Sequence, residues 1–440
     1  RRSSVSGTPA RVSTGWRSIS RPAAISSEIT VAVAAPLSGR HAAEGRAIVQ
    51  SVTWAAAALN ASGGVAGETV VVRSADDGCD DGRATVAAGQ LIAYAPAVVI
   101  GHPCGGPAQA AASIYAAAGT LLIAVAPRHP ELTRNRAGPT ILRLAGRDDL
   151  QSASTAAYLA AAYGGKRIAI VHDRTRYARQ LVEGLKRARS GTTADPIPEF
   201  GIVASSKDYA ATIGALRALR SEVVYFAGFP AEAAALWGQF RAADALPDLV
   251  GSDALANADA ELRRLSEGKR FVVRVLRPYT ALDSELAKPL IGRLAASGSQ
   301  PTDSAVAGYA AVELWAGAVM RAGSRDAAAV QRQLQSASVP SILGAVSFDA
   351  DGDARIPSFE VASFADGRLT TEAIVLPEDR RTAPQKTDAH VSNDGAIGRP
   401  VAASARLSSG NQGDGPRVVS PPLPVRHPLR RDAARTSPRR

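Results

Sequence analysis

The 440-residue chain contains only two cysteines, Cys79 and Cys104, and no uninterrupted apolar run of the roughly 18 residues a bilayer-spanning helix needs. The best candidate, Ala305 to Met320, carries Glu313 and reads as an amphipathic helix, so stable membrane insertion is not expected. The first residues also lack the apolar stretch of roughly 7 to 15 residues that marks a secretion signal. Neither cysteine belongs to a C-x-x-C pair, and no histidine or acidic cluster near them has metal-ligand spacing. Counting alone leaves two readings of the pair open: one disulfide, or two separate buried thiols.

Chemical motifs are missing as well. Hydride transfer on a nucleotide needs G-x-G-x-x-G after the first strand, where backbone must approach a pyrophosphate, and the chain has AAPLSGRHAAEG at 34 to 45 instead. There is no P-loop, no H-E-x-x-H and no G-x-S-x-G elbow, so phosphoryl transfer and hydrolysis lose their usual signatures and no cofactor is expected. Asp349, Asp351 and Asp353 with Glu360 resemble a calcium loop, but Ala354 stands where the sharp turn needs glycine; a turn between strands explains them better. His102, His129 and His172 follow expected strands and read as polar residues at a cleft rim, although a hydrolase using His102 or His172 is a third functional class to set beside binding and sensing.

Charge is present, but at the ends. Residues 1–27 hold five arginines and no acid, and residues 377–440 hold twelve Lys or Arg against six acids, so the net charge of +11 leaves Glu28 to Leu376 neutral. The body has no nucleic-acid footprint. Both ends are rich in Ser, Pro, Gly and Arg and poor in large apolar residues, and both are expected to be disordered.

Between the ends, short β-branched runs alternate with alanine-rich helical stretches, the pattern of βαβ units with buried parallel strands. ITVAVAAP at 29–36, a helix over 42–60, ETVVVRSAD, a helix near 80–94, AVVIG, a helix over 107–118 and TLLIAVA make one doubly wound sheet. A second series starts with a helix over 150–163 and runs through KRIAIVHD, EFGIVA, EVVYFAG and LPDLVGSD. RFVVRVL, helices over 284–296, 304–321 and 327–335, and a hairpin pair from GAVSFDADG and PSFEVASFADG complete the body. With 46% hydrophobic residues the chain can bury two cores. The residues just after each strand are the candidates for a site, because ligands bind at the carboxyl edge of such sheets.

Six segments resemble the type I periplasmic binding proteins, and within them the leucine/isoleucine/valine-binding proteins of ABC importers: PLSG at 36–39, LNASGGVAG at 59–67, DDGCD with IGHPC, HPELT at 129–133, RIAIVHD with Tyr177, and GAVSFDADGD at 344–353. The resemblance implies two Rossmann-like lobes joined by three crossover segments. It assigns residues 28–146 and 277–338 to the first lobe, and 147–276 and 339–376 to the second. It also implies a disulfide between Cys79 and Cys104, an extracytoplasmic location, a small amino-acid-like ligand, and an ABC importer permease as partner. Ligand-sensing regulators share this architecture and are the alternative to transport.

The family's carboxylate-binding hydroxyl falls at Gly105, which offers only its backbone N–H. A second hydroxyl falls at Arg128, a fixed cation suited to a carboxylate fork. The ammonium-binding acid falls at Asp253, aromatic walls at Tyr177 and Phe229, and Glu44 stands where an aromatic is usual. The expected pocket is more polar than its relatives', for a ligand with an extra acidic or polar group.

Overall fold

In the computed structural model, residues 27–375 are described, apart from 191–195, 207, 241–245, 257, 267–270 and 366. The expected disorder of 1–27 and 377–440 falls, but for Ser27, outside the described residues.

The first sheet is built from β1 (Glu28–Ala35), β2 (Thr69–Asp76), β3 (Val98–Gly101), β4 (Leu122–Ala124) and β5 (Ile141–Arg143), with α1 (Ala42–Ala61), α2 (Asp81–Ile92), α3 (Gly105–Ala117) and α4 (Glu131–Arg134) between them. All four pairings are parallel, in the order β2-β1-β3-β4-β5. Parallel strands need cover on both faces. One face packs Ile48, Val52, Ala55 and Ala56 of α1, and the other packs Ala84, Ala87 and Leu91 of α2 and Ala108, Ala111 and Tyr115 of α3.

After β5 the chain enters a second unit: α5 (Gln151–Tyr163), β6 (Ile168–His172), α6 (Arg176–Arg189), β7 (Glu199–Gly201), α7 (Ala210–Ala218), β8 (Val223–Ala227), α8 (Pro230–Gly238), β9 (Asp248–Gly251), α9 (Asp259–Ser266) and β10 (Val273–Pro278). It then returns through α10 (Lys288–Ala296), α11 (Asp303–Ala322), α12 (Ala327–Ser336), β11 (Val339–Ser341) and β12 (Gly344–Val346), and ends in β13 (Phe359–Ala365) and β14 (Arg368–Val375). The second sheet runs β14-β13-β10-β9-β8-β6-β7, parallel from β7 to β10, with β13 and β14 antiparallel. Its faces are covered by Leu159, Leu181 and Leu185 on one side and Ile213, Leu236 and Trp237 on the other.

Two expectations are corrected. GAVSFDADG does not pair with PSFEVASFADG: Gly344–Val346 forms its own hairpin with Val339–Ser341, and Phe359–Ala365 pairs with β10 and β14. Residues 339–356 also do not belong with the second lobe. Val339, Val346, Phe348, Ala354 and Ile356 are buried in the first lobe's core beside Trp315 and Leu334. Burying these five side chains against the existing core of α11 and α12 stabilises more than exposing them on a crossover.

The chain passes between the sheets three times, near 144–150, at Pro278–Tyr279 and at Ser358, and these segments lie side by side. Tyr279 N–H donates to the Ser358 carbonyl at 3.2 Å, and Arg147 N–H donates to Ser358 Oγ at 3.3 Å. A Cβ on Gly146 would lie 2.4 Å from Ser358 Cα, so only glycine allows that approach. No helix among the described residues is long and apolar enough to cross a membrane.

Candidate functional site

Both sheets reverse their winding at one point, between β1 and β3 in the first and between β6 and β8 in the second, and the carboxyl ends flanking these points are where a ligand is received. At the second-lobe edge the structure brings together Tyr177, Phe229 and Asp253. Phe229 ends the loop after β8, Asp253 follows β9, and Tyr177 lies in the first turn of α6. The Tyr177 hydroxyl donates to Asp253 Oδ1 in a short hydrogen bond, and the two aromatic rings lie 5.8 Å apart at a 35° tilt. Burial, then the hydrogen bond and charge of Asp253, push the Tyr177 phenol up, which keeps it a neutral donor. Phe229 remains 47% exposed, an aromatic wall offered to solvent.

Two residues of this cluster were not foreseen. Gln151 Nε2 donates to Asp253 Oδ1 at 2.6 Å, from a helix start 102 positions away that carries no local signal. Asp173 accepts from Phe229 N–H at 3.2 Å and from Thr175 Oγ1 at 2.7 Å, fixing both loops; an Asp-x-Thr step directly after a strand is a turn signal that could have found it.

In the first lobe, Glu44 and Arg128 line one cavity of about 440 Å³, together with Val125, Leu144, Tyr279 and Ser304. Glu44 is in the first turn of α1, and its Oε1 accepts from Ser304 Oγ at 2.6 Å. The approach of this turn to β1 is set by Gly45, where a Cβ would come within 1.8 Å of the Pro36 carbonyl oxygen. Gly45→Ala is therefore expected to cost about 1–3 kcal/mol in urea unfolding, the range for overpacking, by pushing α1 and Glu44 away from the sheet.

Arg128 does not pair with Asp253. Its Nε donates to Asp148 at 2.6 Å and its Nη2 to the Ser358 carbonyl at 3.1 Å, with the guanidinium 5.1 Å from the Phe359 ring centroid. Two crossover segments thus hold it, and Nη1 is the guanidinium nitrogen these hydrogen bonds leave over. Gly105 is the first residue of α3, exposed and with open space where a Cβ would stand. It lines neither the Glu44 cavity nor the Asp253 cluster, but its N–H belongs to a helix N-terminus, where backbone donors and the helix dipole favour an anion.

Of the three histidines read as rim residues, His129 is exposed but His102 and His172 are not at a rim. His102 is fully buried, with Nδ1 2.9 Å from Asp77 Oδ2 and Nε2 3.0 Å from the Tyr115 hydroxyl. His172 is buried against Glu199 at 3.1 Å. His102 follows β3 and His172 ends β6, but both side chains are buried, each against a carboxylate. Asp353 is likewise drawn into the interior by Arg143. A larger cavity of about 670 Å³ opens at the opposite edge of the second sheet, beside Arg167, Glu222 and Asp248. Glu222 there bridges Lys166 at 2.9 Å and Arg167 at 3.3 Å, and no strand carboxyl end points there.

Two doubly wound lobes, each carrying polar and aromatic groups at its carboxyl edge and joined by three adjacent strands of chain, define a two-lobed ligand-binding protein. Residues 28–366 match the family model described as periplasmic binding protein, and the chain belongs to that family. An amino acid binding protein of Pseudomonas aeruginosa is 28% identical over 343 residues, covering 77% of this chain and 91% of that protein. The Leu/Ile/Val-binding protein of Citrobacter freundii is 30% identical over 354 residues, covering 80% and 94%. The crystal structure of an ABC transporter substrate-binding protein from Desulfitobacterium hafniense in complex with Leu is similar with a TM-score of 0.56 at 22% identity, covering 78% of this chain and 100% of that one. The family is one of binding proteins, and the Cys79–Cys104 disulfide that the resemblance implies is formed.

Proposed function

We propose that this protein is an extracytoplasmic solute-binding protein that closes its two lobes on a small amino-acid-like ligand and presents it to an ABC importer permease. The observation that carries the reading is the Tyr177–Asp253–Gln151 cluster: a carboxylate held at one oxygen by two neutral donors, beside an exposed aromatic face. Such a group suits an ammonium, since the donors orient it without neutralising its charge. The ligand carboxylate is assigned to the amides at the start of α3, Gly105 first, and to the free edge of Arg128. Tyr177 and Phe229 wall the ligand from the second lobe and Glu44 from the first. The names of the relatives and the disulfide support a location outside the reducing cytoplasm.

Thermal unfolding of the full chain against the common amino acids tests this. A bound ligand at a hundred times its Kd stabilises by about 2.7 kcal/mol and raises the midpoint. Asp253→Asn removes a charge-assisted contact worth about 1.5–3 kcal/mol, so amino-acid affinity is expected to fall about tenfold to a hundredfold. If no amino acid raises the midpoint, the reading fails.

A further inference from the structure

We infer that Glu44 selects a ligand whose side chain ends in a cationic donor, a basic amino acid such as lysine or ornithine; the inference rests on the amino-acid reading above and names its substrate class. The cavity beside Glu44 combines apolar walls with two part-satisfied charges, the Arg128 edge assigned above to the ligand carboxylate and the Glu44 carboxylate. Val125, Leu144, Leu282 and Ile356 supply its apolar walls. Of its charged residues, Asp303 is occupied, accepting from Thr280 Oγ1 at 2.8 Å and from Ala281 N–H at 2.7 Å. Arg128 spends Nε and Nη2 on Asp148 and Ser358.

Glu44 is different. The Thr302 and Ser304 hydroxyls lie 3.0 Å apart, and Thr302 Oγ1 accepts from Ala305 N–H, so its proton is directed to Ser304 and that of Ser304 to Glu44 Oε1. Ser304 is 3% exposed, which fixes this relay in place. The relay ends on one carboxylate oxygen and leaves Oε2 with no hydrogen-bond partner among the described residues, on a residue that lines the cavity. A half-satisfied carboxylate beside apolar walls repels a second acid and gains little from an aliphatic tip. It is matched by an ammonium or guanidinium carried on a methylene chain, whose stem packs on the apolar walls while its head pairs with Oε2. Of the expected extra acidic or polar group, this favours a polar, cationic one.

The test is calorimetric titration of the full chain with L-lysine and with L-norleucine, which has the same carbon chain without the terminal amine. Lysine is expected to bind at least about tenfold tighter, the effect of one charge-assisted hydrogen bond. In Glu44→Gln, which keeps size and removes charge, the lysine-to-norleucine ratio is expected to collapse toward one. If norleucine or leucine binds the native chain as tightly as lysine, amino-acid binding stands and the basic specificity is overturned. If lysine keeps its preference in Glu44→Gln, the role of Glu44 is overturned. If neither lysine nor norleucine nor any other amino acid binds, the underlying functional reading falls and this one with it. The comparison on the native chain decides the specificity even where the variant does not fold.

Discussion

Asp353→Ala is expected to destabilise the protein by about 3–5 kcal/mol, the range for removing one partner of a buried ion pair. Arg143 and Asp353 are both fully buried. Arg143 Nε donates to Asp353 Oδ1 at 2.8 Å, Thr133 Oγ1 donates to the same oxygen at 2.8 Å, and Arg147 Nη1 approaches Oδ2 at 3.3 Å. Alanine takes from the buried Arg143 guanidinium the carboxylate it pairs with directly, and the His129 carbonyl and Thr133 hydroxyl that it also donates to are dipoles that do not replace that charge. The pair also sits where β5 meets the 352–354 segment within the first lobe, because Arg143 N–H donates to the Gly352 carbonyl at 2.8 Å and Ala354 N–H to the Arg143 carbonyl at 2.9 Å. Asp149 next to it feels burial, which works against its charge, but the hydrogen bond and charge of Arg147, with Arg134 and Arg143, prevail and hold its carboxyl below the ordinary range. Arginine keeps its charge in proteins, so the loss of Asp353 leaves the Arg143 charge in place. Urea unfolding reads the loss, and a loss below about 1 kcal/mol, the scale of an exposed pair, would show that water reaches Arg143 after all. Replacing both Arg143 and Asp353 by leucine and asparagine of similar bulk is expected to recover part of the loss, since no bare charge is left inside.

What could be read from the sequence follows the range over which each signal acts. Strands such as ITVAVAAP and EVVYFAG are written in the local run of β-branched and aromatic residues, and each lies within an observed strand and its flanks. Positions after strands are the candidates such a pattern offers, and Tyr177, Phe229 and Asp253 meet at that edge although 76 residues separate Tyr177 from Asp253. What each side chain touches was not legible. Arg128 reads as a free fork for a carboxylate, but its partners lie 20 and 230 positions away. His102 reads as a rim residue because the strand ends there, and only the tertiary fold brings Asp77 and Tyr115 to it. The misassignment of 339–356 has the same origin. Val339, Val346 and Phe348 look alike whether they cover one sheet or the other, and the choice is made by where α12 leaves the chain.

Converting Cys79 and Cys104 to alanine is expected to lower stability by about 3.5 kcal/mol on the chain-entropy account, given the 25-residue separation they close. The loss should fall on stability and largely spare ligand affinity. The two cysteines belong to the loops after β2 and β3, and the same loops are joined a second time by Asp77 and His102. Asp77 Oδ1 accepts from Cys79 N–H at 2.9 Å while Oδ2 meets His102, which in turn meets Tyr115 of α3. All three polar side chains are fully buried, so this noncovalent staple is costly to open and keeps the start of α3, and Gly105, in place when the disulfide is gone. Backbone geometry adds a second test. Cys79 has φ of 57°, a left-handed conformation that alanine adopts at a cost and glycine does not. Gly at 79 with Ala at 104 is therefore expected to be at least as stable as the double alanine variant, even though glycine loosens the unfolded chain. Denaturant titration with and without reductant measures the first effect, and calorimetry on the reduced protein the second. An affinity that falls tenfold on reduction while stability barely moves would reverse the assignment, making the disulfide the element that positions Gly105 and the buried histidine a bystander.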